Sequence, residues 1–279
     1  MCRVITVLSK PQLVKEIEFR PLDVEAVKAR LEASAIPWSI RHLAECSSTQ
    51  DLAEEAALGG HGPGLVVSTD FQRTGRGRRG GTWTARPGSS LLVSILLQPP
   101  PALLPLTPLL AGIAVVQGIE SSCGLRAELE WPNDVMAGGR KLAGILVQRP
   151  PGPTAVVGIG VNVRAAPSGL EDGARATCLN SELGRTVARE PLLAGILEAI
   201  AGGLQQAALS GPAWVRRAWL ARTSMMGRRL AFEDGTTERV GTAQDLLEDG
   251  ALVVRLDDGS PLRLVAGAVR HVRTDLPQS

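Results

Sequence analysis

Four short stretches of this chain gather residue types that can do chemistry. The first, FQRTGRGRRGGTW (71–83), sets Arg73, Arg76, Arg78 and Arg79 among Gly75, Gly77, Gly80 and Gly81. No Asp or Glu occurs from 71 to 119, so these cations have no local counter-charge in a chain of net charge +2. Glycines let the backbone bend until successive N–H groups converge on an anion, and guanidinium forks match phosphate oxygens. The expected ligand is a phosphate or a phosphate-like transition state. The stretch has neither the closing Gly-Lys-Ser/Thr of a Walker A loop nor a G-x-G-x-x-G turn opening a helix. The second stretch, RKLAGILVQ (140–148), opens with Lys141. Lysine occurs only at 10, 15, 28 and 141, and Arg supplies the other 26 of the 30 basic residues. A lone lysine after position 28 marks a place that needs a compact ammonium, although an edge-strand lysine guarding against aggregation has the same look.

The third stretch is WPND (131–134). Asn133 carries both a donor and an acceptor, and Pro132 enforces an extended or turn geometry; read alone, the tetrapeptide is a turn closing a hairpin. The fourth, VVGIGVNV (156–163), places Gly158, Gly160 and Asn162 at a strand end. Glycines inside a strand mark close approach of a ligand or of another backbone, and Gly144 in the second stretch reads the same way.

The elements that must carry these groups follow from periodicity. A helix is expected from about Asp23 to Ala33, with Val24, Val27 and Leu31 on one face. SSTQDLAEEAALGG predicts a helix capped by Ser48, with Asp51 completing a capping box. LVVSTDF (65–71), SLLVSILLQ (90–98), KLAGILVQ (141–148) and TAVVGIGVNV (154–163) read as strands, the second covered on both faces. Thr107 is expected to cap the following helix with Pro108 at its first position. Residues 190–222 read as helical. From Gly227 onward, short alternating runs are punctuated by Asp234-Gly235, Asp249-Gly250 and Asp258-Gly259, the signature of hairpins in a small closed β-barrel.

Composition closes off other classes. With 44% hydrophobic and 21% charged residues the chain is ordinary for a soluble globular protein, and no apolar run reaches the ~18 residues of a membrane span. The net charge of +2 predicts no bulk attraction to nucleic acid or lipid, and 3% aromatics leave few stacking platforms. Four scattered cysteines and three scattered histidines suggest neither a disulfide framework nor a zinc site. The N-terminus lacks signal-peptide features, so a reducing, cytoplasmic location is expected, with no membrane association.

The order SSTQ, GRGRRG, WPND, RKLAGILVQ and VVGIGVN resembles the biotin protein ligases from about residue 38 onward. The resemblance implies an α+β fold: a mixed β-sheet flanked by helices, like class II aminoacyl-tRNA synthetases, followed by a small SH3-like β-barrel. The implied division is an N-terminal extension (1–37), a catalytic domain (38–226) and the SH3-like domain (227–279). The extension is expected to be too short for the DNA-binding domain of repressor-type members, so no DNA partner is expected.

The implied activity is ATP-dependent formation of biotinyl-5'-AMP, then transfer of biotin to a lysine of a biotin carboxyl carrier protein. Biotin and ATP are the implied substrates, with Mg2+ accompanying ATP on ligands the sequence does not reveal. Carried over by motif, the biotin site comprises Ser48, Thr49, Gln50, Gln72, Gly75, Arg76, Gly77, Arg78, Lys141, Gly144 and Gly158. The adenylate site comprises Arg76, Arg78, Arg79, Trp83, Asn133, Lys141 and Asn162, and the catalytic groups are Lys141, Arg76 and Arg78. Gln50 stands where the family shows Asn. Glu130 stands where a Lys is common, with Arg140 as its candidate neutraliser. A monomer or weak homodimer is expected. The competing readings are a lipoate or octanoate ligase of the same broad fold, and a nucleic-acid-binding module using the arginine loop.

Overall fold

The computed structural model describes residues 20–167, 176–234, 237–266 and 269–273. Asp23 starts α1 (Val24–Arg30) by accepting the Ala26 N–H at 3.0 Å. Leu22, Val27 and Leu31 then enter the main core, so this N-terminal piece packs on the body. The helix ends at Arg30, three residues before the expected Ala33.

The body is a seven-stranded sheet. In chain order come β1 (Ser39–Cys46), α2 (Thr49–Leu58), β2 (Leu65–Gln72), β3 (Ser90–Leu97), α3 (Thr107–Cys123), β4 (Glu128–Glu130), β5 (Asp134–Ala137), β6 (Arg140–Gln148) and β7 (Ala155–Asn162). Three helices follow: α4 (Leu179–Leu183), α5 (Arg189–Ser210) and α6 (Pro212–Leu220). The strand order is β1-β2-β3-β7-β6-β5-β4, with β1 parallel to β2 and every other pair antiparallel. This is the expected mixed sheet flanked by helices.

Strand alternation assigns the two faces. Leu91, Val93, Ile95, Val157, Ile159, Val161 and Ile145 point into the core shared with α3 and α5. These two helices approach so closely that a Cβ on Gly118 would meet the Ile196 backbone nitrogen at 2.7 Å. The opposite face carries Leu65, Val67, Leu96 and Val156 against Ala53 of α2. Beyond α2 that second face continues as Ser94, Gly158, Gly160, Asn162 and Gly144, which form the floor of the site described below. By length and apolarity α5 could cross a membrane; here its Leu192, Leu193, Ile196, Leu197 and Ile200 are buried in the core. One buried ion pair ties α5 to the sheet: Arg189 Nη2 lies 2.7 Å from Asp70 Oδ1, with both side chains about 2% exposed or less. His42 completes the group, its Nε2 3.1 Å from Asp70 Oδ2 and its Nδ1 3.0 Å from Ser68 Oγ.

Several local expectations are corrected. Ser48 does cap α2, but its hydroxyl accepts from the Gln50 N–H, and Asp51 turns outward to Arg76 instead of closing a capping box. Leu106 is the N-cap of α3, so Thr107 and Pro108 are its first two residues. The 190–222 stretch is two helices broken at Gly211, where φ of 72° and the following proline end α5. Strand β1 was not anticipated: it is an edge strand whose exposure follows no strict alternation.

A second sheet contains β8 (Arg229–Asp234), β9 (Thr237–Leu246), β10 (Leu252–Leu256), β11 (Pro261–Leu264) and β12 (Val269–Arg273). Its order is β11-β10-β9-β8-β12, all antiparallel. Gly250 and Gly259, each at φ 84°, make the expected turns, helped by Asp249 and Asp258 accepting N–H groups two residues on. Gly235 lies outside the described residues. Leu230, Phe232, Leu246, Leu252 and Val254 join the main core, and Trp131 donates its indole N–H to the Gly250 carbonyl at 3.0 Å.

Candidate active site

Register brings the strand glycines together. Gly144 of β6 pairs with Gly160 of β7, and Gly158 pairs with Ser94 of β3, so three glycines lie on one face of adjacent strands. What covers them explains why they are glycines. The Trp83 indole lies on two of them: a Cβ on Gly160 would meet Trp83 Cε2 at 2.5 Å, and one on Gly144 would meet Cζ3 at 2.9 Å. A Cβ on Gly158 would collide with Gln50 Oε1.

One end of this floor is a buried polar cluster from the start of α2. Gln50 spans from the Ser94 hydroxyl (2.9 Å to Oε1) to the Val156 carbonyl (3.2 Å from Nε2). Thr49 Oγ1 lies 2.9 Å from Ser94 Oγ and donates to Gln72 Oε1 at 3.1 Å, while its own N–H donates to the same oxygen at 2.8 Å. Ser48, Thr49, Gln50 and Ser94 are all buried. The extra methylene of Gln50 lets it reach β7 directly. Next to this cluster, burial pushes the Cys46 thiol pKa up, leaving it neutral.

The other end holds charge. Lys141 Nζ is 2.7 Å from Asp134 Oδ2, and its Cε is 3.6 Å from the Cβ position of Gly144. The remaining oxygen, Asp134 Oδ1, is buried with no partner, as are Trp83 Nε1 and Asn162 Oδ1. Asn162 Nδ2 donates to the Thr177 carbonyl at 3.0 Å.

The arginine–glycine segment is a closed hairpin-like loop. Trp83 N–H donates to Gly75 O, Gly77 N–H to Gly81 O and Gly81 N–H to Arg78 O, while Arg76 bridges Thr82. The Gly77 and Gly81 amides therefore serve the loop itself and do not converge on an anion site, which corrects the sequence expectation. Gly75 is needed for contact: a Cβ there would overlap the Trp83 carbonyl. Arg76 is held by Asp51 at 2.5 Å. Arg79 is exposed, with φ 51°. Arg78 turns inward, donating to Asn133 Oδ1 at 3.0 Å and to the Ala266 carbonyl. Burial lowers the Arg78 pKa and Asp134 partly offsets this.

Asn133 uses its amide on the protein, accepting from Arg78 and donating to Ile145 O at 3.0 Å. Here it positions Arg78 and β6. Arg140 ion-pairs with Glu182. Sequence reasoning did not single out Asp134, Ser94 or Thr177, which the structure brings to the site. A serine in the middle of the apolar run LLVSILL (91–97) was a usable signal for Ser94; Thr177 had none.

The family model for the Biotin/lipoate A/B protein ligase family matches residues 44–163, a span that contains the floor, the loop and Lys141. The biotin–[acetyl-CoA-carboxylase] ligase of Paracoccus denitrificans is 35% identical over 224 residues, covering 76% of this chain and 92% of that protein. The chain belongs to the biotin protein ligase family. A second ligase of that name, from Mycobacterium tuberculosis, is 29% identical over 263 residues, covering 91% of this chain and 97% of its own. Among solved structures, the biotin protein ligase from Aquifex aeolicus in complex with biotin and ATP superposes with a TM-score of 0.74. It is 26% identical and is covered over 99% of its length by 85% of this chain. At 85% of this chain, that coverage is wider than the span matched by the family model.

Proposed function

We propose that the protein activates biotin with ATP as biotinyl-5'-AMP and transfers it to a lysine of a biotin carboxyl carrier protein. The observation that carries this reading is the polarity of the glycine floor. Four residues of β7, roughly 13 Å at ~3.3 Å each, separate Gly158 beside the Gln50–Ser94 cluster from Asn162. Lys141 enters from β6 at the Asn162 end. A flat ring carrying hydrogen-bonding groups suits the first end, an aliphatic chain takes the place of the Trp83 indole over Gly144 and Gly160, and a carboxylate then meets the Lys141 ammonium.

In the first half-reaction the biotin carboxylate attacks the α-phosphate of ATP and pyrophosphate leaves. Lys141 screens the repulsion between the two anions and stabilises charge on the phosphoryl oxygens, an electrostatic contribution worth ~10²–10³ in rate for one such group. Asp134 holds the ammonium in place. Arg78 adds a second cation, and Trp83 leaves the floor to cover the nucleotide. In the second half-reaction the carrier amine attacks the mixed anhydride and AMP leaves. No group of three or more His, Cys, Asp or Glu side chains able to hold a metal occurs among the described residues. Mg2+ would arrive with the nucleotide and supply charge neutralisation at the phosphates.

The C-terminal five-stranded sheet is read as an SH3-like barrel of residues 227–279, behind a catalytic domain of residues 38–226 and an extension of residues 1–37. Free thiols at Cys46, Cys123 and Cys178 support a reducing, cytoplasmic setting. The deciding experiment is ATP-dependent incorporation of labelled biotin into a carrier domain, with lipoate as competitor. The Thr49, Gln50, Gln72 and Ser94 hydrogen-bonding cluster favours the ureido group of biotin over a dithiolane, so excess lipoate should leave labelling unchanged. Labelling by lipoate in place of biotin would overturn the reading.

A further inference from the structure

Every polar group of Thr177 is engaged, and its partners lead to the charged end of the site. Its N–H donates to the Lys141 carbonyl at 2.9 Å, its carbonyl accepts from Asn162 Nδ2 at 3.0 Å, and its hydroxyl donates to Glu182 Oε1. Glu182 also receives Arg140 Nη2 at 2.7 Å, from the residue just before Lys141. Thr177 is buried between Asn162 and the start of β6, at the point where Ala176 bridges to Lys141.

This wiring fixes more than position. An asparagine amide can present its donor or its acceptor, depending on which half is already used. The Thr177 carbonyl takes the Asn162 N–H, so only Oδ1 is left, and that atom is buried without a partner. A buried acceptor left open selects a ligand that brings an N–H and penalises one that brings a second acceptor.

We propose that Thr177 and Glu182 form a specificity-determining positioning pair: by locking the Asn162 amide they make the site read a purine 6-amino group and reject a 6-oxo group. The inference rests on the nucleotide role given to Asn162 above. Glu182 acts through Thr177 and, with Arg140, holds the segment against the start of β6. Neither residue touches substrate.

The test compares Thr177→Val, which keeps the shape and loses the hydroxyl, with Thr177→Ser, which keeps it, and with Glu182→Gln. ATP and GTP are compared in biotin-dependent pyrophosphate exchange, alongside biotin KM, Tm and calorimetric ATP affinity. Thr177→Val should raise ATP KM about tenfold, the equivalent of ~1.4 kcal/mol, and narrow the ATP-to-GTP preference by a similar factor. Biotin KM should stay within about twofold, and Thr177→Ser should restore the wild-type values. Glu182→Gln should fall between them, since it keeps an acceptor for Thr177 but loses the charge that holds Arg140. An unchanged ATP-to-GTP ratio in Thr177→Val, or ATP and biotin KM rising together with a lower Tm, overturns the proposal. A chain that binds ATP in preference to GTP but never turns over biotin would sink the proposed activity and leave this inference readable from the calorimetric affinities.

Discussion

Arg78 donates to the backbone carbonyl of Ala266, 188 residues further along the chain, and with its other nitrogen to Asn133. One guanidinium thus joins the arginine–glycine loop, the WPND turn and the linker between β11 and β12. The loop is shut by protein contacts: Arg78 on one side and the Arg76–Asp51 ion pair on the other.

Arg78→Gly removes both inward bonds. The loop should become protease-sensitive, and biotinyl-adenylate should escape before transfer, because the site must cover a mixed anhydride that any amine can attack. Labelled biotin should then appear on a bystander protein at equal turnover. Equal bystander labelling by wild type and variant would mean that the loop is a fixed structural element.

Lys141→Arg should suppress adenylate formation by ~10²–10³, as should Lys141→Ala. Asp134 grips a compact ammonium at 2.7 Å, and a planar fork presents its charge elsewhere. Pyrophosphate exchange is the measurement, and near-wild-type exchange in the arginine variant would remove the assigned role.

Gly160→Ala places a methyl group 2.5 Å from the Trp83 ring. Overpacking of this kind costs ~1–3 kcal/mol of stability, so Tm should fall, and biotin KM should rise as well because the methyl group stands on the floor that the ligand would occupy. Gly152→Ala is not an equivalent control, because φ there is 105°; Gly62→Ala, in open space, is, and should be silent.

Asp70 predicts a pH dependence of stability. Burial raises the Asp70 pKa, but the bonds from His42 and Arg189 more than offset this and hold it below the ordinary value of 3.8. A carboxyl whose pKa falls on folding stabilises the fold above its unfolded pKa and loses that contribution as pH falls through the folded value. Asp70→Asn strands the Arg189 cation and should cost ~3–5 kcal/mol at neutral pH. The gap to wild type should close below about pH 4 in denaturant titrations. A gap constant from pH 7 to pH 2 would rule this account out.

Strands β3 and β7 were legible because burial on both faces writes a nearly continuous apolar run, and β2 and β6 because each carries a shorter one, LVV and ILV. The edge strand β1 was not, since SIRHLAEC is half exposed and mixes polar and apolar residues on both faces. The Ser48-x-x-Asp51 pattern misled because an acidic residue in a first helical turn can equally serve a distant cation, here Arg76. The break before α6 was visible in Gly211-Pro212 and outweighed by the apolar spacing on either side. Within the site, Lys141 stood out because it is rare. Asp134 and Thr177 acquire meaning only from partners that folding delivers, seven residues away for Lys141 and fifteen for Asn162.

The reach from Arg78 to Ala266 also sets an order of events during synthesis. Translation at ~5–20 residues per second needs roughly 10–40 s to make the intervening chain. Trp131, which anchors WPND, likewise waits for Gly250. A ribosome-bound chain can thus pair its floor strands while both clasps over them lack their final partners. Such a chain is in the condition of Arg78→Gly, so retention of the reactive adenylate should appear only once Ala266 has emerged and found Arg78.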